Sequence, residues 1–510
     1  MKIVSAEQMR ALDRLCIEEL GIPSLVLMAR AGEAVAETAF ELLYEQPGPV
    51  VVLCGKGNNG GDGMAAARLL DEAGHDVHVI LPFSEESLSP DALAVYRQVK
   101  ADGILIEPQV SDEELRSAAL VIDALLGTGV TGPVTGVMGS LISRTNARRG
   151  GKGVLAVDLP SGVETDTGKI LGPTIFAEVT VTLALPKPCL VLYPGAQQAG
   201  RWTVADIGIP AEAIEMSPCV AEVTERAQAV SWMPRRSPTA HKHSVGWALI
   251  VAGSFGMTGA AAMAATSAYR SGVGLVRLAL PASLVPALNA VLTEVVFRPV
   301  PETRAGTLSF QAVKPLIAEA SAMQAALIGP GLSHNAATQN AIRRFVAQWP
   351  GPLVVDADAL TAMVGADELW GQRNAPTIIT PHPGEMSYLL SKTVPELEED
   401  RIATAKEAAK RFNAIVVFKG TPTVIAAPDG ETFVNPTGNA GLAVAGTGDC
   451  LAGSIVALLA QGLPALHAAA LATYAGGLAA EMLSDSIGIM GMTALDLIDG
   501  LPYALKELAR

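Results

Sequence analysis

The run Gly446-Thr447-Gly448-Asp449 stands directly ahead of an Ala-rich stretch of helical character. At a helix N-terminus, the N–H groups of residues 446–448 would neutralise charge on a transferring phosphoryl group. Asp449 would then accept a proton from the attacking hydroxyl. The plainer alternative is that Asp449 only caps the helix. Phosphoryl chemistry is the reading carried forward, because Gly-rich turns at 253–260, 329–332 and 419–423 precede it. A second glycine cluster, Gly55-Lys56-Gly57-Asn58-Asn59-Gly60-Gly61-Asp62-Gly63, follows an apolar run and leads into a helical stretch at 64–72. Its glycines let the backbone approach a ligand closely, and the helix start offers free N–H groups to an anion. Gly55, Gly57 and Gly60 formally match a dinucleotide fingerprint. The next apolar run, however, ends Ile80-Leu81-Pro82-Phe83, without the acidic residue that hydride-transfer domains use. Asp123 and Asp158 also end apolar runs. A lone Asp there often caps a helix, but three such loops at one sheet edge point to a site. Asn59, Asp123 and Ser161 offer only oxygen ligands, which suit a hard cation and not zinc.

Positioning these residues requires strand carboxyl ends. Apolar runs at 50–54, 77–81, 120–122, 154–157 and 179–183 alternate with Ala-rich helical stretches. A second series lies at 248–252, 326–328, 353–355, 377–379 and 415–418. Short, wholly apolar strands separated by helices predict parallel sheets covered on both faces. The fold class expected is therefore α/β with two doubly wound domains, one over 1–217 and one over 226–510. The linker is placed at 216–244, which is rich in Pro, Arg and His. No short repeat is present, which argues against a solenoid.

Composition excludes other classes. The chain has 510 residues, 50% of them hydrophobic, which is too apolar for a disordered chain. Five cysteines, an odd number without a CxxC pair, argue against a disulfide framework and fit a reducing cytosol. The mean hydropathy of +0.35 raises the question of a membrane span, and 450–480 carries no charged side chain. Gln461-Gly462-Leu463-Pro464 breaks that stretch, so two buried Ala-rich helices are expected instead. The N-terminus lacks a signal-peptide core; Ser5 and Gln8 instead form a capping-box pattern. A net charge of -15 argues against nucleic-acid binding.

The residues GKGNNGGDG, IDALLGTG and VDLPSG resemble the epimerase domain of the NAD(P)H-hydrate repair family over about the first 215 residues. GSFGMTGA, GPGL, DADAL, PHPGE, KGTPT and GTGD, over about 226–510, resemble the ribokinase-like superfamily, within it the nucleotide-dependent dehydratase branch of the same repair system. The first resemblance implies a potassium site at Asn59, Asp123 and Ser161. It implies epimerase substrate contacts from Asn58, Asn59, Gly60, Gly61 and Asp62. It adds Gly127, Thr128, Gly129, Val130, Thr131, Gly132 and Pro133, together with Asp158. The second implies contacts to the AMP moiety at Lys419, Gly420, Thr421, Pro422, Thr423 and Gly448. It places the dehydratase substrate near Ala260, Gly331, His382 and Asp449. His382 is otherwise a packed loop histidine. The chain departs from the family at Ala29, where an acidic residue is common, and at Ser333, where glycine is frequent.

The chemistry implied begins from a nicotinamide hydrated at the carbon beside the ring nitrogen. Losing the hydroxyl gives an iminium, and water returns from the other face. That exchange needs a carboxylate able to pass protons. Asp158 is the candidate; Lys187 is the second, read otherwise as a solvated loop lysine. In the second half, phosphorylating the hydroxyl turns a poor leaving group into a good one. Asp449 is the base, ADP the donor and magnesium the ion bridging its phosphates. The expected partners are thus NADHX, NADPHX and ADP, with no nucleic acid and no membrane. A cytoplasmic homo-oligomer is expected. Two alternatives stay open here: a ribokinase-type kinase for a vitamin or sugar alcohol, and a first domain that only senses nucleotides or binds a protein.

Overall fold

The computed structural model describes residues 1–130, 132–148 and 153–510. They form two compact units, Met1–Ala221 and Glu222–Arg510. The first unit is built on a seven-stranded sheet, parallel throughout. Its order is Leu105–Glu107, Val77–Ile80, Val50–Cys54, Leu120–Ala124, Val154–Val157, Val179–Leu183, Arg201–Ala205. Val50–Cys54 is wholly buried because both its faces are covered. Val50 and Val52 pack into one core with the helices Ser24–Glu45 and Asn58–Glu72. Val51 and Leu53 pack into another with Leu141 and Ile142. Chain direction across the sheet reverses between Val50–Cys54 and Leu120–Ala124, so a crevice forms beyond their carboxyl ends.

One element differs from expectation. The helix after the glycine cluster starts at Asn58, not Met64, so five glycine or asparagine positions read as loop lie in its first turns. Low helix propensity is overridden by packing. A Cβ on Gly60 would lie 2.0 Å from the Gly55 carbonyl oxygen, and one on Gly63 would lie 2.4 Å from the Ala124 Cβ. Glycine is therefore needed so that this helix can press onto the strand it follows.

In the second unit, seven parallel strands form one side of a larger sheet, out to its edge. They run in the order Ile415–Phe418, Thr377–Ile379, Leu353–Val355, Ala325–Ile328, Trp247–Val251, Leu275–Pro281, Val296–Val300. Val424–Ala426 and Thr432–Val434 extend it antiparallel beyond Ile415–Phe418. The direction reverses between Trp247–Val251 and Ala325–Ile328. Part of the stretch expected as linker is ordered: Glu222 pairs with Phe433, Val223 pairs with Val434, and Arg226–Trp232 is a helix. The Ala-rich stretch forms the helices Thr447–Ala460 and Ala465–Ile487, separated at 461–464. Small residues let the first approach its neighbour, since a Cβ on Gly453 would lie 2.2 Å from the Ala264 carbonyl oxygen. Among the described residues, no helix is long and apolar enough to cross a membrane.

Candidate active sites

At the reversal point of the first sheet lies a cavity of about 440 Å³. Gly57, Asn58 and Asn59 line it at the start of the helix Asn58–Glu72. The first bond of that helix runs from the Gly61 N–H to the Gly57 carbonyl, at 3.2 Å. The N–H groups of Asn58, Asn59 and Gly60 therefore have no partner within the helix, and they can hold an anion. Asp62, Gly127, Thr128 and Gly129 also line the cavity. Gly60 and Gly61 instead pack, against Gly55 and Met28. Val130 is buried, Pro133 lies against Gly172, and Thr131 is outside the described residues.

Asp158 and Lys187 face the same cavity as a buried ion pair, with Nζ 2.5 Å from Oδ1. Asp158 also accepts from the Leu183 N–H at 3.1 Å and the Thr182 hydroxyl at 3.2 Å. Its backbone is left-handed, with φ of 63°, which is costly for a residue other than glycine and holds the carboxylate at the strand end. Lys187 is 0% exposed, so it is not a solvated loop lysine. Its ammonium also donates to the Leu183 carbonyl at 2.9 Å. Neither Asp158 nor Asp123 caps a helix: Asp123, wholly buried, accepts from the Ser161 hydroxyl at 2.6 Å and the Ser161 N–H at 2.8 Å. Burial pushes its carboxyl up to about 6 against those hydrogen bonds. The buried Asn59 side-chain nitrogen, whose amide adjoins Gly127, has no hydrogen-bond partner. Turning that amide over would present its oxygen in place of the nitrogen. Together with the Asp123 carboxylate, the Ser161 hydroxyl and the nearby Leu126 carbonyl, it makes an all-oxygen set that fits a hard cation.

Asp13 was not singled out from the sequence, yet it lines this cavity too. Burial pushes its carboxyl up to about 6, with Lys187 pulling it down and Asp158 pushing it up. Burial also lifts Asp62, helped by Asp158 and Asp13 and opposed by Lys187. The signal for Asp13 was present in the spacing of Met9, Asp13 and Ile17, which puts all three on one helical face. Ala29 lies on the exposed side of Ser24–Glu45.

In the second unit the site residues gather at the carboxyl edge of the sheet. Ala260 and Gly331 adjoin across the reversal point; a Cβ on Gly331 would lie 3.1 Å from the Ala260 Cβ. The 253–257 loop is tied to the next strand by the Gly253 N–H to the Pro330 carbonyl, 2.8 Å, and the Ser254 hydroxyl to the Gly331 carbonyl, 2.8 Å. Lys419 donates to Asp356 at 3.1 Å, and Asp356 also accepts from Thr380 at 2.7 Å. Gly448 abuts the same ammonium: a Cβ there would lie 3.3 Å from Lys419 Nζ. Burial pulls Lys419 down, but Asp356, Glu385 and Asp449 outweigh it and hold the ammonium charged. Asp449 sits in the first turn of Thr447–Ala460, whose N-cap is Gly446, so it is not the capping residue. Its carboxyl is pushed up to about 7 by burial and Asp356, against Lys419.

His382 is neither a packed loop histidine nor a free one. It caps the helix Pro383–Leu390, its Nδ1 accepting from the Gly384 N–H at 3.0 Å. That bond leaves the other ring nitrogen to carry the proton of the neutral form. Burial, then Lys419, lowers its tendency to protonate. Thr421, Pro422 and Thr423 follow Lys419 on a loop held by Arg401, which donates to the Lys419 carbonyl at 3.0 Å and the Pro422 carbonyl at 3.1 Å. A Cβ on Gly420 would lie 2.5 Å from that guanidinium. Asp356, Glu385 and Arg401 had no assigned role from sequence. Ser333 takes the left-handed φ of 79°, which explains why glycine suits the position; its N–H donates to Asp358 at 2.7 Å.

Residues 248–503 match the family described as NAD(P)H-hydrate dehydratase, and residues 24–189 match the family described as YjeF-related protein N-terminus. The chain is 41% identical to the bifunctional NAD(P)H-hydrate repair enzyme Nnr of Moorella thermoacetica, covering 100% of this chain and 97% of the relative. It is 33% identical to the enzyme of that name from Escherichia coli, over 97% of this chain and 92% of the relative. Among solved structures, the ADP/ATP-dependent NAD(P)H-hydrate dehydratase of Bacillus subtilis, co-crystallised with ATP and magnesium, is 33% identical with a TM-score of 0.50. It covers 56% of this chain and 99% of its own.

Proposed function

The chain belongs to the bifunctional NAD(P)H-hydrate repair enzymes, and from that membership we propose how its residues divide the work. The protein interconverts the R and S forms of NADHX and NADPHX and dehydrates the S form at the expense of ADP, giving AMP and phosphate. We assign the epimerase to 1–217 and the dehydratase to 226–510. The observation that carries the reading is the pair of carboxylate-bearing edges, each at the reversal point of its own sheet.

In the first site, the N–H groups of residues 58–60 hold the dinucleotide's phosphates. Asp158 passes the proton as water leaves and re-adds. Lys187 keeps that carboxylate in place through its buried ion pair. Gly127, Thr128 and Gly129 face the ring. Asn59, Asp123 and Ser161 are the residues that would hold potassium, which would supply a fixed positive charge beside the bound substrate.

In the second site, the hydrate's hydroxyl attacks the terminal phosphorus of ADP. Asp449 takes the hydroxyl proton and AMP departs. The ring nitrogen's lone pair then expels phosphate, and loss of the neighbouring ring proton leaves the reduced dihydronicotinamide. Lys419 and the N–H of Gly448 stand where charge builds on the transferring group. Residues 419–423 hold the AMP moiety, and Ala260, Gly331 and His382 hold the substrate. Magnesium would be held chiefly by the phosphates, with the carboxylates at this edge as its nearest hard ligands.

A cytoplasmic homo-oligomer completes the proposal, and light scattering on the full chain tests its assembly. Function is tested by mixing chemically hydrated NADH with the protein, ADP and magnesium while following the reduced-nicotinamide absorbance. Recovery of both epimers is expected, as a fast S phase and a slower R phase. No recovery with any nucleotide, or accumulation of a stable phosphorylated hydrate, would overturn the reading. Asp158→Ala should leave only the S phase fast.

A further inference from the structure

We propose that Asp13 is a second catalytic residue of the epimerase, exchanging a proton with water on one face of the nicotinamide ring while Asp158 serves the other. The inference deepens the epimerase reading above and rests on it. The requirement is chemical. Inverting one carbon through a planar iminium means that water leaves one face and arrives on the opposite one. A single carboxylate at a strand end reaches one face.

Asp13 reaches the cavity from a different element, not from the strand end that carries Asp158. It lies on the helix Ala6–Arg14, whose face of Met9 and Asp13, continued by Ile17, lines the cavity. The helix is fixed to the Lys187 loop before it begins: the Val4 N–H donates to the Pro186 carbonyl at 3.0 Å. Its first residue is fixed too, the Ala6 N–H donating to Asp166 at 2.8 Å. Ser5 and Gln8 close the capping box. Asp13 is thus positioned by a rigid element and not by a loop. Its charge couples to Lys187 and Asp158, which line the same cavity, and to Asp62 on the glycine-rich helix. Asp158 gives its Oδ1 to the Lys187 ammonium, the Leu183 N–H and the Thr182 hydroxyl, which leaves Oδ2 to exchange a proton on its own side. Burial holds Asp13 where both its protonation states are accessible near neutral pH.

The step balances without any external reductant. The carbon–oxygen bond breaks, its electron pair leaving on oxygen, and one Asp gives the proton that makes the leaving group water. The ring nitrogen's lone pair forms the iminium. Water then adds from the other face through an oxygen lone pair, the iminium pair returns to nitrogen, and the other Asp takes the proton. Between turnovers, proton exchange with solvent water returns both carboxyls to their starting states, so net conversion in either direction is catalytic.

The experiment uses the full chain, ADP, magnesium and chemically hydrated NADH, with the uncatalysed interconversion subtracted. The fast S phase reports a folded, active dehydratase. For Asp13→Asn we expect that phase within twofold of native and the R phase slowed by about 100-fold or more. The loss should fall on kcat, with KM for the R epimer within about threefold, as for a group acting on the transition state. Asp13→Glu should recover part of the rate, and Asp13→Ser, a second variant in case the amide disturbs folding, should not. An R phase within threefold of native in Asp13→Asn overturns the proposal. So does a KM rise at unchanged kcat. Asp158→Asn separates the two ideas: if it slows the R phase and Asp13→Asn does not, only the Asp13 proposal fails. If neither slows it, the epimerase site itself is misassigned.

Discussion

Burial lifts the Asp449 carboxyl to about 7, Asp356 adds to the lift, and Lys419 opposes it. If Asp449 is the base proposed above, it works only when ionised, so kcat/KM for dehydration should rise about tenfold per pH unit below that value and flatten above it. Replacing Lys419 by Met removes the one group that pulls Asp449 down, so the step should move to higher pH. A profile of kcat/KM against pH for both proteins checks the shift; an unmoved step would mean that another group controls it. Asp123, Asp158 and Asp449 were legible in the sequence because each stands next to an apolar run or an Ala-rich helix. Asp13 was not, because an acid in an amphipathic N-terminal helix looks like an ordinary solvated position. Asp356 and Glu385 lay inside visible motifs, but only the fold shows that both converge on Lys419.

Strand positions such as Val50–Cys54 and Ile415–Phe418 were readable because a strand buried on both faces must be apolar at every position. Val424–Ala426, Thr432–Val434 and the edge strand Val296–Val300 were missed: they are short or carry polar side chains on one face. The helix at Asn58 was missed for a different reason. Local propensity opposes it, and what stabilises it is contact with Gly55 and Ala124, which no local pattern reveals. Gly60→Ala therefore tests the element. Its Cβ would meet a backbone carbonyl that cannot rotate away, so we expect destabilisation of at least about 2 kcal/mol. The loss should appear in the unfolding of the first unit and in the R phase, while S-phase dehydration persists. Native stability in Gly60→Ala would mean that the helix can slide along the strand.

Across the whole chain, buried carboxyls set the pH response. Asp13 and Asp123 are raised to about 6, Glu385 and Asp449 to about 7, each chiefly by burial. The folded chain thus binds more protons than the unfolded chain between the usual carboxylate range and these values. Stability from these groups is fully present below about 4 and is lost as pH rises through 6 to 7. The denaturant midpoint should therefore be higher at pH 5.5 than at pH 8, and Asp449→Asn should narrow the gap. Each unit also has its own core: one cluster runs from Val4 to Ala213, another from Ala229 to Leu508. The unpaired N–H groups that open the helix at Asn58 have a kinetic consequence. They are dipoles, not ions, on a chain of net charge -15. A polyanionic dinucleotide is therefore repelled at long range and captured only at contact. The cavity's Lys56 and Lys187 are outnumbered by Asp13, Asp62 and Asp158, so added salt should screen the repulsion and quicken association. Stopped-flow binding across ionic strength would display that rising slope.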